Sequence, residues 1–190
     1  MSQLCKMGRA RKRDEGAAMT ADATMPVGIV IERRASDHPW QDATWAPVAV
    51  IPHAGPVDAP RLLVEDGTRT QFHVATLPLE LFRGETEGYS LNLSQAEPVV
   101  YVVLRPDDEA DSGLKAFLAT VCPFEASSYV ESGDEITQGV AMPDEVNAWL
   151  SQFVDTHHKE EPFKKRKNTK QRSEQSWTRP RGRFGQVGGE

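Results

Sequence analysis

The chain has only two cysteines, Cys5 and Cys122, and Cys5 falls in an N-terminal stretch without hydrophobic periodicity. A structural disulfide is therefore not expected, and a reducing, cytoplasmic compartment fits. No run approaches the roughly eighteen continuous apolar residues of a membrane helix, which excludes a helical span. The basic N-terminus is not followed by an apolar block, so a secretory signal is not expected. Missing too are Gly-x-x-x-x-Gly-Lys-Ser/Thr and a Gly-x-Gly-x-x-Gly after a strand, so no loop is built to cradle phosphate. The apolar share is 38%, low for a chain folded throughout, which implies that part of it does not fold.

Charge shows which part. The net charge of −6 over 190 residues hides an asymmetry. Residues 1–24 carry five basic and three acidic groups, and residues 159–190 carry ten and four. Residues 25–158 are left with seven basic and 21 acidic groups, net −14. Three segments follow: a disordered basic tail at 1–24, an acidic domain at 25–158 and a second disordered basic tail at 159–190. Because the ordered pattern begins at Met25, the start of the natural chain is left open among Met1, Met19 and Met25.

Period-two alternation predicts a mainly β domain. Val27 to Arg34 reads as a strand with Val27, Ile29 and Ile31 on one face and Glu32 and Arg34 on the other. Trp45 to Ile51 reads as a second, and Pro47 inside it argues for an edge or a bulge. Asp66-Gly67 joins two hairpin arms, Arg61 to Glu65 and Arg69 to Leu77, with Leu79 and Leu81 continuing the extended pattern. Thr86 to Leu93 alternates again, with Tyr89, Leu91 and Leu93 on one face. Val99 to Leu104 is apolar on both faces, as a central strand would be. Leu114 to Val121 makes a seventh strand. Pro123 opens a short helix to about Glu131. Pro143 opens a longer one, in which Val146, Trp149, Leu150, Phe153, Val154 and His157 form one stripe. The expected fold is α+β and mainly β: a small antiparallel barrel or bent sheet of about seven strands, covered by the C-terminal amphipathic helix. A pleckstrin-homology-like barrel has this order of elements, an architectural analogy that licenses no ligand.

Candidate chemistry is sparse. Asp107, Glu109 and Asp111 have the opening spacing of a calcium loop, but Ser112 replaces its glycine and Leu118 its closing glutamate, so a solvated acidic loop is the better reading. Of His38, His53, His73, His157 and His158 only the last pair is close, and adjacent helical residues point about 100° apart. No metal site and no cofactor are expected. Cys122 precedes Pro123, where a helix N-terminus can lower a thiol pKa; with no basic partner nearby, a buried inert thiol is favoured. Glu80, Arg83, Glu85 and Glu87 cluster in sequence, and a solvated face with one ion pair outweighs a catalytic pair. Trp40 and Trp45 flank a turn and read as anchors of the first two strands rather than a stacking platform. The strongest local signal is C-terminal. Lys164, Lys165, Arg166 and Lys167 form a dense basic run, and Trp177, Arg179, Arg181 and Arg183 interleave aromatic and basic groups. Such a segment suits nucleic acid or a docking partner, against the plainer readings of a solubilising tail or one that folds back on its acidic domain.

Pro26 to Arg34, Pro39-Trp40-Gln41-Asp42, Trp45 and Pro47 to Val50 resemble the opening of an uncharacterised bacterial family catalogued as a domain of unknown function. The likeness continues through Thr76 to Leu81, Tyr89 to Leu93, Glu97-Pro98, Tyr101 to Arg105 and Glu161-Pro162-Phe163, so it spans about residues 25–167. Members tend to be encoded beside molybdenum-dependent formate dehydrogenase genes, with a ferredoxin and a maturation chaperone nearby. The resemblance thus implies an accessory role in formate dehydrogenase biogenesis or function and brings no catalytic residues. Some relatives carry a molybdopterin-guanine dinucleotide biosynthesis label, which would require a glycine-rich N-terminal loop that is missing here. The expectation is a non-enzymatic accessory or assembly factor that binds a protein partner, formate dehydrogenase or one of its maturation proteins. Alternatives are a nucleic-acid-binding protein acting through its basic tail and a small-molecule-binding barrel. No membrane partner is expected.

Overall fold

The first strand, β1 (Ala23–Ala35), owes its extended form to a β-branched run, Val27 to Ile31, with Gly28 inside it. Val27, Ile29 and Ile31 are fully buried in the main core. β1 is flanked along most of its length by β2 (Ala43–Pro52) and β4 (Arg69–Leu81), both antiparallel to it. This double flanking buries Val30 and Glu32 as well; of Glu32 and Arg34, expected on the face opposite Val27, Ile29 and Ile31, Arg34 alone is exposed. The computed structural model describes residues 20–36, 43–110, 112–131, 133 and 135–158. Of the two expected tails, only residues 20–24 fall within these, and the rest lies outside the described residues.

Pro47 sits on β2, at one end of the main sheet path, opposite Ile31 and at a register shift. Edge and irregularity both spare the ladder the donor that proline lacks. β3 (Arg61–Glu65) and β4 form the expected hairpin. Gly67 takes φ +80° at its tip, and Asp66 Oδ1 accepts from the backbone N–H of Thr68 and Arg69.

After β4 comes a 3-10 turn, Arg83–Glu85, and then a helix, α1 (Thr86–Leu93), where the alternation predicted a strand. The residues that reach the interior are Thr86, Gly88, Tyr89 and Asn92. Their spacing of three and four is helical, while Leu91, which a strand would place beside Tyr89, is 49% exposed. β5 (Val99–Pro106), β6 (Leu114–Thr120) and α2 (Pro123–Val130) follow as the sequence predicts. β5 lies between β6 and β7 (Ile136–Ala141). Its faces serve two cores: Val100, Val102 and Leu104 join the main one, and Val103 packs with Leu118 and Tyr129 in a smaller one. β7 has little periodic signal, with a glycine inside and mostly exposed residues. The count of seven strands therefore stands, with β7 in place of 86–93.

The sheet runs β2-β1-β4-β6-β5-β7 with β3 beside β4, and its two edges, β2 and β7, approach each other to leave a nearly closed barrel. It is mixed rather than antiparallel, because β4 and β6 are parallel. The helix at 86–93 explains this. With a strand there, a simple meander would bring β6 back antiparallel to β4. A helix removes one reversal, and β6 returns in the direction of β4 after a crossover through α1 and β5. Two helices between strands also depart from a pleckstrin-homology-like order. The last helix, α3 (Asp144–His157), covers the barrel core with Val146, Leu150, Phe153 and Val154. Trp149 is partly buried, and the Phe153 ring meets Tyr89 edge-on at 6.2 Å. Among the described residues no helix is long and apolar enough to cross a membrane.

Candidate functional site

The residues with the strongest sequence signal, Lys164, Lys165, Arg166, Lys167, Trp177, Arg179, Arg181 and Arg183, lie outside the described residues, as do Cys5, His38, Trp40 and Asp111. The other candidates resolve into structural roles. In the acidic loop, Asp107 Oδ1 accepts the Glu109 N–H at 3.0 Å, which closes a local turn. Among the described residues no group of three or more His, Cys, Asp or Glu side chains could hold a metal ion. His53 lies 3.2 Å from a Glu145 oxygen on α3. His73 is buried on β4, with Nε2 3.0 Å from the Ala75 carbonyl and 3.1 Å from Thr76 Oγ1. His157 packs its ring on Phe153, and His158 Nδ1 meets Thr86 Oγ1 at 3.2 Å. Trp45 anchors β2 by packing on Phe72.

Cys122 is buried at the N-cap of α2. Burial pushes its thiol up to about 11, against backbone N–H groups of Phe124 and Glu125 that act to lower it. Desolvation wins over the helix terminus, so the thiol is held protonated and is not an activated nucleophile. Two members of the ionisable cluster at 80–87 turn to partners outside it. Arg83 pairs with Asp22, its Nε 3.2 Å from Oδ1. Glu85 Oε2 accepts the Tyr89 hydroxyl at 3.1 Å, while that hydroxyl accepts the Phe82 N–H at 3.0 Å. Burial, and then the Glu85 charge, raise the Tyr89 pKa far above its ordinary value, so it serves as a neutral buried link.

Three surface features of the described residues bear on function. The first is a concavity of about 230 Å³ lined by Glu32, Arg34, Thr44, Ala46, Val48 and Gln138, where β1 and β2 meet β7. Glu32, 3% exposed, accepts a 2.6 Å bond from Gln71 Nε2 and a second bond from Arg34 Nε. These bonds, Gln71's first, hold its carboxyl below the usual range. Both oxygens are thus engaged within the protein, and the space is smaller than the ~300–1,000 Å³ of typical ligand pockets. The second feature is β3, every residue of which is exposed, with Leu62, Leu63 and Val64 consecutive. The third lies on the helices. Phe124, at the first turn of α2, leans over Gly88, where an added Cβ would come within 3.1 Å of its ring. Leu91 follows Gly88 by one turn of α1, and both apolar side chains reach solvent. The alternating reading of 86–93 hides Leu91, because it pairs Leu91 with buried Tyr89. Three unalternated apolar residues in a five-residue hairpin arm were a legible sign for β3.

The profile of a family described as Protein of unknown function (DUF3305) matches residues 26–167. That span takes in every element from β2 to α3 and most of β1. No curated protein matches the chain, and no solved structure does.

Proposed function

The chain belongs to the DUF3305 family, and from that membership we propose that it is a non-enzymatic accessory or assembly factor that serves molybdenum-dependent formate dehydrogenase through protein–protein contacts. The observation that carries the reading is the exposed apolar pair Leu91 and Phe124 on the α1–α2 face. Apolar side chains held in solvent on packed helices suit a partner that covers them. The net −14 of residues 25–158 and the net +6 of residues 159–190 favour a partner that rings its apolar centre with basic groups and offers the tail an acidic patch, which gives fast, salt-sensitive association. Genomic proximity to formate dehydrogenase, implied by the family likeness of Pro26 to Phe163, supplies the client.

Deleting the gene tests this. Formate-dependent dye reduction and molybdenum loading of the dehydrogenase should fall, while immunoblots show its subunits still made. Leu91→Glu should fail to restore activity although its circular dichroism and melting match the wild type, since Leu91 contributes little to the core. Replacing Lys164, Lys165, Arg166 and Lys167 with alanine should restore activity in part, with slower encounter. Normal activity and normal loading in the null strain would defeat the reading and favour nucleic-acid binding through the tail.

A further inference from the structure

β3 is the shortest strand of the sheet and a side branch of it: it pairs with β4 on one side, and on the other its backbone has no strand partner among the described residues. An unpaired edge is a template for another strand unless it is blunted. Charge is one device that does the blunting, beside short strands and bulges, since like charges on two approaching edges repel. Here the five residues read Arg61-Leu62-Leu63-Val64-Glu65. The flanking charges are opposite in sign, and the centre is apolar, with Leu62 50%, Leu63 41% and Val64 39% exposed.

We propose that β3 is a self-recognition edge that pairs antiparallel with β3 of a second copy of this chain. With the two-fold axis at Leu63, Arg61 of each copy lies opposite Glu65 of the other. Leu62 lies opposite Val64, and Leu63 opposite itself. Two ion pairs and three apolar pairs form at once, as a symmetric contact requires. A register shift between Leu62 and Val64 leaves Leu63 as an extra residue against β4. Such a bulge twists the strand and keeps the pairable run short, so the dimer is reversible and concentration-dependent. β3 pairs with the first part of β4, whereas α1 begins beyond the end of β4. The self-pairing therefore leaves the Leu91–Phe124 face free and does not depend on the function proposed for it.

Sedimentation velocity of the full chain over a concentration series at low salt reads the equilibrium. The expected result is a monomer–dimer exchange. Arg61→Glu and Glu65→Arg should each weaken it about tenfold, because each replaces two attractive pairs with repulsive ones. The double exchange Arg61→Glu/Glu65→Arg should restore the wild-type constant. An equimolar mixture of the two single variants should form a heterodimer more strongly than either forms a homodimer. Both substituted positions lie on a strand whose every residue is exposed, so folding is checked by unchanged circular dichroism. A chain that stays monomeric throughout the series, or a dimer indifferent to these exchanges, would overturn the proposal.

Discussion

Glu32 shows how a charge is kept inside a β-sheet. Its carboxylate accepts from Gln71, directly across the ladder on β4, and from Arg34, two residues along its own strand. Both bonds favour the charged form, and burial opposes it with less weight, so the folded pKa lies below its ordinary value of 4.5. The sign follows from linkage: a depressed carboxyl pKa contributes stability that is present above the unfolded value and is lost as pH falls through the folded one. Glu32→Gln should therefore leave a flatter stability profile below pH 4.5 than the wild type. Guanidinium denaturation at a series of pH values measures it; parallel profiles for the two proteins would contradict the assignment. Gly28 belongs to the same strand and makes a different demand. A Cβ there would lie 2.6 Å from His73 Nε2 and 2.8 Å from the Ala54 side chain, so the close approach of β4 and the loop after β2 requires a residue with none.

At the scale of elements, one side chain ties the C-terminal end of α1 to the sheet. Asn92 is fully buried. Its Nδ2 donates at 2.8 Å to the carbonyls of Val99 and Val121, and its Oδ1 accepts the Val99 N–H at 3.1 Å. The end of α1 is thereby tied to the start of β5 and the end of β6. Asn92→Ala strands two carbonyls and one N–H in the interior, and should cost about 3 kcal/mol in urea denaturation; Leu91→Ala, on the exposed side, should cost under about 1 kcal/mol. Equal losses for the two would contradict the helical placement. The alternation of 86–93 could not reveal this, because Tyr89 and Asn92 share a face only at a spacing of three. Asn92 reads as a polar strand residue until the carbonyls it caps are brought to it.

For the molecule as a whole, the pairing of β1 reaches back to Ala23, opposite Leu81, and Asp22 extends it. The Asp22 N–H donates to the Leu81 carbonyl at 2.9 Å, and its Oδ2 accepts the Arg83 N–H at 2.9 Å. A fragment of residues 20–158 contains every one of these contacts and should unfold with the midpoint of the full chain. Starting at Met25 instead removes the Asp22 bonds and the Ala23 and Thr24 pairings, and should lower stability by about 1–2 kcal/mol. Thermal and chemical denaturation of the two fragments decide it, and equal stability would place the working boundary at residue 25.

The sequence by itself determined what depends on neighbours along the chain. Asp66-Gly67 specifies a hairpin because the turn needs φ above zero at one residue. Pro143 and the stripe from Val146 to Val154 specify a helix with one apolar face. The apolar run Val99 to Leu104 specifies a strand buried on both sides. The absence of a phosphate loop and the charge split are matters of composition. What the tertiary structure alone decided depends on residues distant in sequence. It made 86–93 a helix and so turned β6 parallel to β4. It drew β7 from a segment with almost no pattern, since an edge strand buries little. It buried Glu32 by placing Gln71 beside it, and it held Cys122 protonated by removing water from a helix terminus that would otherwise have lowered its pKa. In each case local preference was weak, and burial against a distant partner outweighed it.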